Sequence, residues 1–241
     1  MRAAKFIVPV LLCGLVVSLA AGEDFWLKKP YQKWSAEEAS RLLEDSPWAT
    51  TRVLTSVNRT TPIINSQGVA SNTVGRDVET EPSIVYTLQF RSAAPIREAM
   101  VRSFQLSAHY DAMSADQKAA FDANSSKFLA ATFPDRVLVA VTFRSNSAND
   151  QSLLRVYWAS QNLAKMNIST FLNAGKERLL LEGYACKDDT FQLTFPRPKQ
   201  LSPDSRLSVE FIHPNIDVIR EERVFLEFKL KKMMVRGEPA F

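Results

Sequence analysis

Glycine is scarce in this sequence, and its scarcity excludes two common kinds of nucleotide site. The 241 residues include only seven glycines, two of them within the first 22 residues. Among the others, no two lie closer together than Gly68 and Gly75. Dinucleotide-binding folds and P-loops both need several glycines within about eight residues, because their backbone must approach the phosphates closely. Nucleotide binding through either motif is therefore excluded.

Histidine and cysteine are scarce as well, with two residues of each kind. An ordinary zinc site needs several such ligands, and no residues are spaced as in a His-Glu-x-x-His helix or a calcium-binding loop. We therefore predict no metal and no cofactor. The Gly-x-Ser-x-Gly elbow of serine hydrolases is also absent. A catalytic triad dispersed along the chain could still use either histidine, because triads are defined by geometry and not by order.

Long runs of like charge are missing too, so the sequence shows no footprint of nucleic-acid binding. The formal net charge is +4, which falls to about +2 once the first 22 residues are left out. The densest basic stretch is Lys229, Lys231, Lys232 and Arg236, near the C-terminus. We interpret it as the solvated face of a strand, with attachment to anionic lipid or to an envelope polymer as the alternative.

The first 22 residues have the three-part layout of a secretory signal peptide. Two positive charges lie within residues 1–5, an uncharged apolar run covers residues 6–21, and small residues follow. The run is shorter than the roughly 20 residues that cross a bilayer. We predict cleavage after Ala20 or after Gly22, a secreted or periplasmic protein, and no transmembrane span in what remains.

Only one cysteine lies outside this segment, because Cys13 falls within the apolar run. Cys13 follows two leucines and not small residues, which argues against lipid attachment. Cys186 alone cannot form an intramolecular disulfide. Without a basic or histidine neighbour in sequence, we interpret it as a small buried hydrophobic residue and not a nucleophile.

We expect residues 23–57 to form an N-terminal unit with many aromatic side chains. Ser35 and Glu38 form a capping box that begins a short helix, which ends before Pro47. A strand is predicted over residues 48–57. Residues 58–82 are polar and aperiodic, which predicts a long flexible loop.

Residues 83–241 are predicted to form the remaining α+β domain. Residues 84–90 alternate as a half-buried strand, and two helices begin near Pro95 and at Ser114, where Gln117 completes a second capping box. Residues 136–144 are apolar at both parities, as in a central strand. Periodicity does not decide between strand and helix at 153–158. Four alternating segments then follow, at 178–184, 191–195, 207–211 and 224–230.

These elements predict an α+β fold. Its body is an antiparallel β-sheet or a β-sandwich-like pair of sheets, with an N-terminal helix and a central helical hairpin that packs on one face or end.

Three residues are candidates for catalysis. His109 and Asp111 flank Tyr110 at the predicted end of a helix, where a histidine could act as a base oriented by the carboxylate. We favour a structural interpretation, in which a charge at the C-terminal end suits the helix dipole. His213 shares the parity of the apolar residues in its strand, so we expect a structural role for it too.

Trp26, Trp34 and Trp48 are the candidate binding residues. Such side chains could form a stacking platform for a carbohydrate or a peptide. The alternative, which we favour, is that they anchor the N-terminal segment to the domain. Exposure of the three rings beside a groove would support the platform.

The two ends of the chain resemble a known kind of protein. Lys33-Trp34-Ser35-Ala36-Glu37-Glu38-Ala39 and Phe191-Gln192-Leu193-Thr194-Phe195-Pro196-Arg197 are similar to segments of uncharacterised secreted families of acidobacterial type. The opening is also distantly similar to exported proteins with a GWxTD domain, although the Gly-Trp-x-Thr-Asp signature is absent. The resemblance implies export and carries no catalytic residue.

The sequence therefore favours an exported, non-enzymatic binding or structural module, with an envelope polymer or a protein as partner. Two alternatives stay open. One is an exported hydrolase with a dispersed site that uses His109 or His213. The other is a protein attached to the surface of the membrane or envelope.

Overall fold

A computed structural model of the protein describes residues 25–55, 81–217, 219–235 and 237–241. The predicted signal peptide at residues 1–22 lies outside the described residues. So does the predicted loop at 58–82, apart from its last two positions.

Most helices of the described chain lie in its first two thirds, and strands predominate after them. The α-helices are α1 (Phe25–Lys28), α2 (Ala36–Glu44), α3 (Ala94–Ser107), α4 (Ala115–Leu129), α5 (Ala148–Ala159) and α6 (Leu163–Met166). Short 3₁₀ helices cover Tyr31–Lys33, Tyr110–Ala112 and Leu230–Met233. The strands are β1 (Ala49–Thr55), β2 (Ser83–Phe90), β3 (Arg136–Ser145), β4 (Phe171–Ala174), β5 (Glu177–Leu179), β6 (Gly183–Lys187), β7 (Thr190–Pro196), β8 (Arg206–His213), β9 (Glu222–Lys229), β10 (Met234–Val235) and β11 (Glu238–Pro239).

The strands form three antiparallel sheets. The larger has five strands in the order β1-β2-β3-β7-β6, and the smaller has four in the order β5-β4-β8-β9. A third sheet consists of β10 and β11 alone. The predicted α+β class, with a body of antiparallel sheets and several helices, is confirmed.

The core lies between the inner faces of the two large sheets. Along β2 the alternating residues Ile84, Tyr86, Leu88 and Phe90 are all fully buried, as their pattern predicts. Phe90 packs edge-on against Phe228 of the smaller sheet, with ring centroids 4.9 Å apart. Rings from facing strands thus interlock, as in a β-sandwich.

Helix α5 covers one end of this core. It occupies the segment whose periodicity left helix or strand undecided. Its Trp158 stacks on Phe191 of β7, with centroids 4.2 Å apart, and also meets Phe211 of β8 edge-on. One side chain of the helix therefore contacts both sheets.

Both predicted capping boxes are confirmed. The Ser35 hydroxyl accepts the backbone N–H of Glu38, whose carboxylate accepts the Ser35 N–H at 2.8 Å. Ser114 and Gln117 exchange the same two bonds at the start of α4. In each case the serine side chain and its partner satisfy backbone donors that the first helical turn leaves free.

Helix α4 corrects one expectation, since none of its residues is buried. It is half of the predicted hairpin, but it does not pack on a sheet. Its Phe121 stacks on Phe104 of α3, with centroids 5.6 Å apart. Phe121 thus packs against the neighbouring helix, and Phe104 itself remains 59% exposed.

The single strand expected at residues 178–184 is wrong. The chain there forms β5 in the smaller sheet, then three residues without regular structure, then β6 in the larger sheet. The side chain of Asn167 explains the break, because its amide bonds the backbone of Leu181 at both N–H and C=O, at 2.7 and 3.2 Å. These bonds replace those that a strand neighbour would make while the chain crosses between sheets.

Within the described residues, no helix has the length and apolar character needed to cross a membrane.

Candidate functional site

A groove of about 580 Å³ opens where the two ends of the described chain meet. Helix α1 contributes Trp26 and Leu27 to its lining. Strand β9 and the 3₁₀ helix after it contribute Phe228, Lys229 and Lys231, and the end of α2 completes the wall. We call this feature the N-terminal groove. It combines the aromatic segment and the basic stretch that the sequence shows at opposite ends.

Trp26 is the aromatic side chain that the groove presents. It is partly exposed, and its indole is fixed by edge-on contacts with Phe25 and with Trp48, at centroid distances of 5.2 and 5.6 Å. A ring already held in place loses little conformational freedom when a ligand stacks on it. Trp26 is therefore preorganised for stacking.

The charge of the groove is predominantly positive. Four of its lining residues are cationic and two are anionic. One of the two anions, Glu227, is already paired with Arg206 at 2.6 Å. Among the described residues, neither Lys229 nor Lys231 forms an ion pair. A concave surface with unpaired cations attracts anions.

The other two candidate tryptophans do not reach the surface. Trp34 and Trp48 are fully buried. Trp34 donates its indole N–H to the carbonyl of Lys29 at 3.1 Å, a hydrogen bond within the N-terminal segment that stabilises its conformation. Trp34 and Trp48 therefore have the position expected of anchoring residues. Trp26 alone borders a groove, as a stacking residue would.

The candidate catalytic residues lie apart. His213 is fully buried between the sheets, where its Nδ1 hydrogen-bonds the hydroxyl of Tyr86 at 2.8 Å. Burial lowers the pKa of His213 to about 4 and raises that of Tyr86. The imidazole is therefore neutral at pH 7 and has a structural partner.

His109 and Asp111 sit on the outside of the helical hairpin. His109 is exposed and adopts a left-handed backbone conformation, with φ of 52°, between α3 and the 3₁₀ helix at Tyr110–Ala112. Among the described residues, neither histidine hydrogen-bonds to a serine, a cysteine or a carboxylate. Asp111 borders a second cavity, whose lining does not include His109.

Cys186 is a partly buried free thiol. Burial is the largest cause that raises its pKa, and the nearby carboxylates of Asp188 and Asp189 raise it further. The reactive thiolate is therefore disfavoured. In the part of the chain that the structure describes, no group of three or more His, Cys, Asp or Glu side chains is placed to hold a metal ion.

The sequence shows the aromatic segment and the basic stretch separately, but it does not show that they line one groove. Trp26 and the lysines are about 200 residues apart. In the fold, β9 is an edge strand, and the residues at its end line the same groove as Trp26. The sequence signal for the groove is the unusual composition of these two segments, one rich in aromatic residues and the other in basic residues.

Comparison of the chain with protein-family models and with curated proteins finds no match. The resemblance to secreted proteins of acidobacterial type therefore stays a prediction.

Proposed function

We propose that this protein is an exported, non-enzymatic binding module that holds an acidic polysaccharide of the cell envelope in the N-terminal groove. The observation that carries the proposal is the presence of a fixed, partly exposed Trp26 in the same groove as the unpaired cations Lys229 and Lys231.

The two kinds of side chain suit the two parts of an acidic sugar. The carbon face of a pyranose ring is apolar and packs on an aromatic ring, as apolar surfaces do in most binding sites. The carboxylate of the same sugar pairs with a lysine ammonium group. A polymer repeats both features, so several of its residues can use the groove at once.

The shape of the site favours a chain over a lipid surface. Trp26 lies in a concavity of about 580 Å³. A bilayer is wider than such a concavity, and proteins that bind membrane surfaces insert a protruding apolar face. A polysaccharide strand can instead lie within the groove.

Export is supported by the sequence features of residues 1–22 and by the resemblance of the chain ends to secreted proteins. An envelope polymer is a partner that an exported protein would meet.

Replacing Lys229 and Lys231 with glutamine should weaken binding to polygalacturonate about tenfold, because two cations that meet the carboxylates are lost. Binding would be measured by affinity electrophoresis of the purified protein at low and at high salt. We expect the wild-type interaction to weaken as salt rises, since exposed charges are screened.

The matched control is Lys127→Gln with Lys187→Gln, which removes two exposed cations outside the groove. We expect it to bind polygalacturonate as the wild type does. Equal weakening by both pairs would show that net charge alone matters. Binding to vesicles of anionic lipid without binding to polygalacturonate would contradict the proposal in favour of the membrane.

A further inference from the structure

A second cavity, of about 410 Å³, lies between the 3₁₀ helix at Tyr31–Lys33 and the hairpin of α3 and α4. We call it the hairpin cleft. Tyr31, Arg102, Gln105, Tyr110, Asp111 and Asp122 are among its lining residues. None of them belongs to the N-terminal groove.

Gln105 is the residue that points to a ligand. Its side chain borders the cleft although the residue is only 5% exposed. Its amide oxygen accepts a hydrogen bond from Arg102 at 3.4 Å, and no described residue accepts one from its amide nitrogen. That nitrogen is not one of the fully buried atoms that lack a partner, so it is in contact with solvent, and at the edge of the cleft it can donate to an acceptor on a ligand.

Arg102 is held beside this donor. Its Nε donates to the carbonyl oxygen of Trp34 at 2.8 Å, and its Nη1 donates to Gln105. These two bonds fix the guanidinium group on the N-terminal segment. The Nη2 group makes no hydrogen bond with a described residue, which leaves a second donor at a fixed position.

Acceptors and aromatic rings complete the lining. Tyr110 donates its hydroxyl proton to Asp122 Oδ2 at 2.7 Å, so the other carboxylate oxygen of Asp122 keeps its capacity to accept. Asp111 contributes a further carboxylate. The rings of Tyr31 and Tyr110 are both partly exposed.

We propose that the hairpin cleft binds the ring of a neutral saccharide. Each sugar hydroxyl both donates and accepts, which matches donors on Arg102 and Gln105 and acceptors on Asp111 and Asp122. The apolar face of the ring would pack on a tyrosine. The carboxylates of Asp111 and Asp122 outnumber the guanidinium group of Arg102, so the cleft repels phosphate and carboxylate ligands. In this respect it differs from the N-terminal groove, where cations predominate.

The test is a calorimetric titration of the purified protein with three neutral sugars, which are triacetylchitotriose, maltotriose and cellotriose. At least one of the three should bind. Tyr31→Ala should weaken that binding tenfold or more, and Asp122→Asn should weaken it several-fold. Asp116→Asn, a change of the same kind on α4 that does not border the cleft, should leave it unchanged.

Tyr110→Phe is included as a variant that should stay folded, because it keeps the ring and removes only the hydrogen bond to Asp122. Circular dichroism should show the wild-type spectrum for every variant. No binding of any of the three sugars, binding that survives Tyr31→Ala, or preferential binding of putrescine or inorganic phosphate would each overturn the proposal. Lys229→Gln with Lys231→Gln should not affect sugar binding, so the two sites can fail independently.

Discussion

Replacing Trp158 with alanine should lower the free energy of unfolding by about 3–5 kcal/mol. The side chain is fully buried and packs against rings from both large sheets. Truncation would remove those contacts and leave a cavity that rigid strands cannot close. Urea denaturation followed by circular dichroism measures the effect.

Val156→Ala is the control on the same helix, because that side chain is 71% exposed. We expect it to change the free energy of unfolding by less than about 0.5 kcal/mol. Trp158→Phe should cost less than alanine, since it keeps an aromatic ring between the two sheets. If Trp158→Ala cost no more than Val156→Ala, the sheets would not be joined through this residue.

Acid should destabilise the protein through His213. Its pKa of about 4 in the folded state lies below the ordinary value of 6.5, because burial disfavours the charged imidazolium. Between these two values the unfolded chain binds a proton that the folded protein does not. The contribution of His213 is therefore complete above pH 6.5 and falls as the pH drops towards 4, by about 3 kcal/mol.

The measurement is urea denaturation at several pH values for the wild type and for Tyr86→Phe with His213→Phe. The double variant removes both hydrogen-bonding partners together, so neither is left buried and unsatisfied. Carboxylates titrate in both proteins, and the difference between the two curves isolates the histidine. A difference that stays constant from pH 6.5 to 4 would show that His213 is protonated equally in the folded and unfolded states.

Local sequence signals predicted the elements well. Ser35 and Ser114 begin helices because a capping box needs residues only three apart. The alternation from Ile84 to Phe90 predicted a strand because the side-chain period of a strand is two. Capping boxes and strand alternation depend on residues that are close in sequence, so they predict helices and strands before the tertiary structure is known.

Features that depend on residues distant in sequence are predicted less well. The alternation at 178–184 continues through a change of sheet, because the side chain of Asn167 takes over the backbone bonds of Leu181. Phe121 of α4 stacks on Phe104 of α3, a contact that the sequence of either helix alone does not show.

The candidate site was predicted only in part for the same reason. Composition marked the N-terminal tryptophans and the C-terminal lysines as unusual. It could not tell that Trp48 would be fully buried with Trp26 packed edge-on against it, because the two rings are 22 residues apart in sequence. The unused donor of Gln105 has no sequence signal, since glutamine on a helix is usually solvated.

The N-terminal segment takes part in both proposed sites. Trp26 borders the groove, and Tyr31 borders the cleft. Trp34 of the same segment is buried, and its carbonyl oxygen accepts a hydrogen bond from Arg102, which fixes the segment to α3. The burial of Trp34 and Trp48 accounts for part of the aromatic richness of this segment, and the two proposed sites would account for Trp26 and Tyr31.

The most direct test of the groove is an NMR titration of the indole N–H signals. The chain has four tryptophans, and only Trp26 borders the groove. Trp26→Phe identifies its signal by loss. On addition of short oligogalacturonides we expect the Trp26 signal to shift and saturate while that of Trp158 stays in place. A Trp26 signal that does not move at concentrations where the protein is bound would contradict binding in the groove.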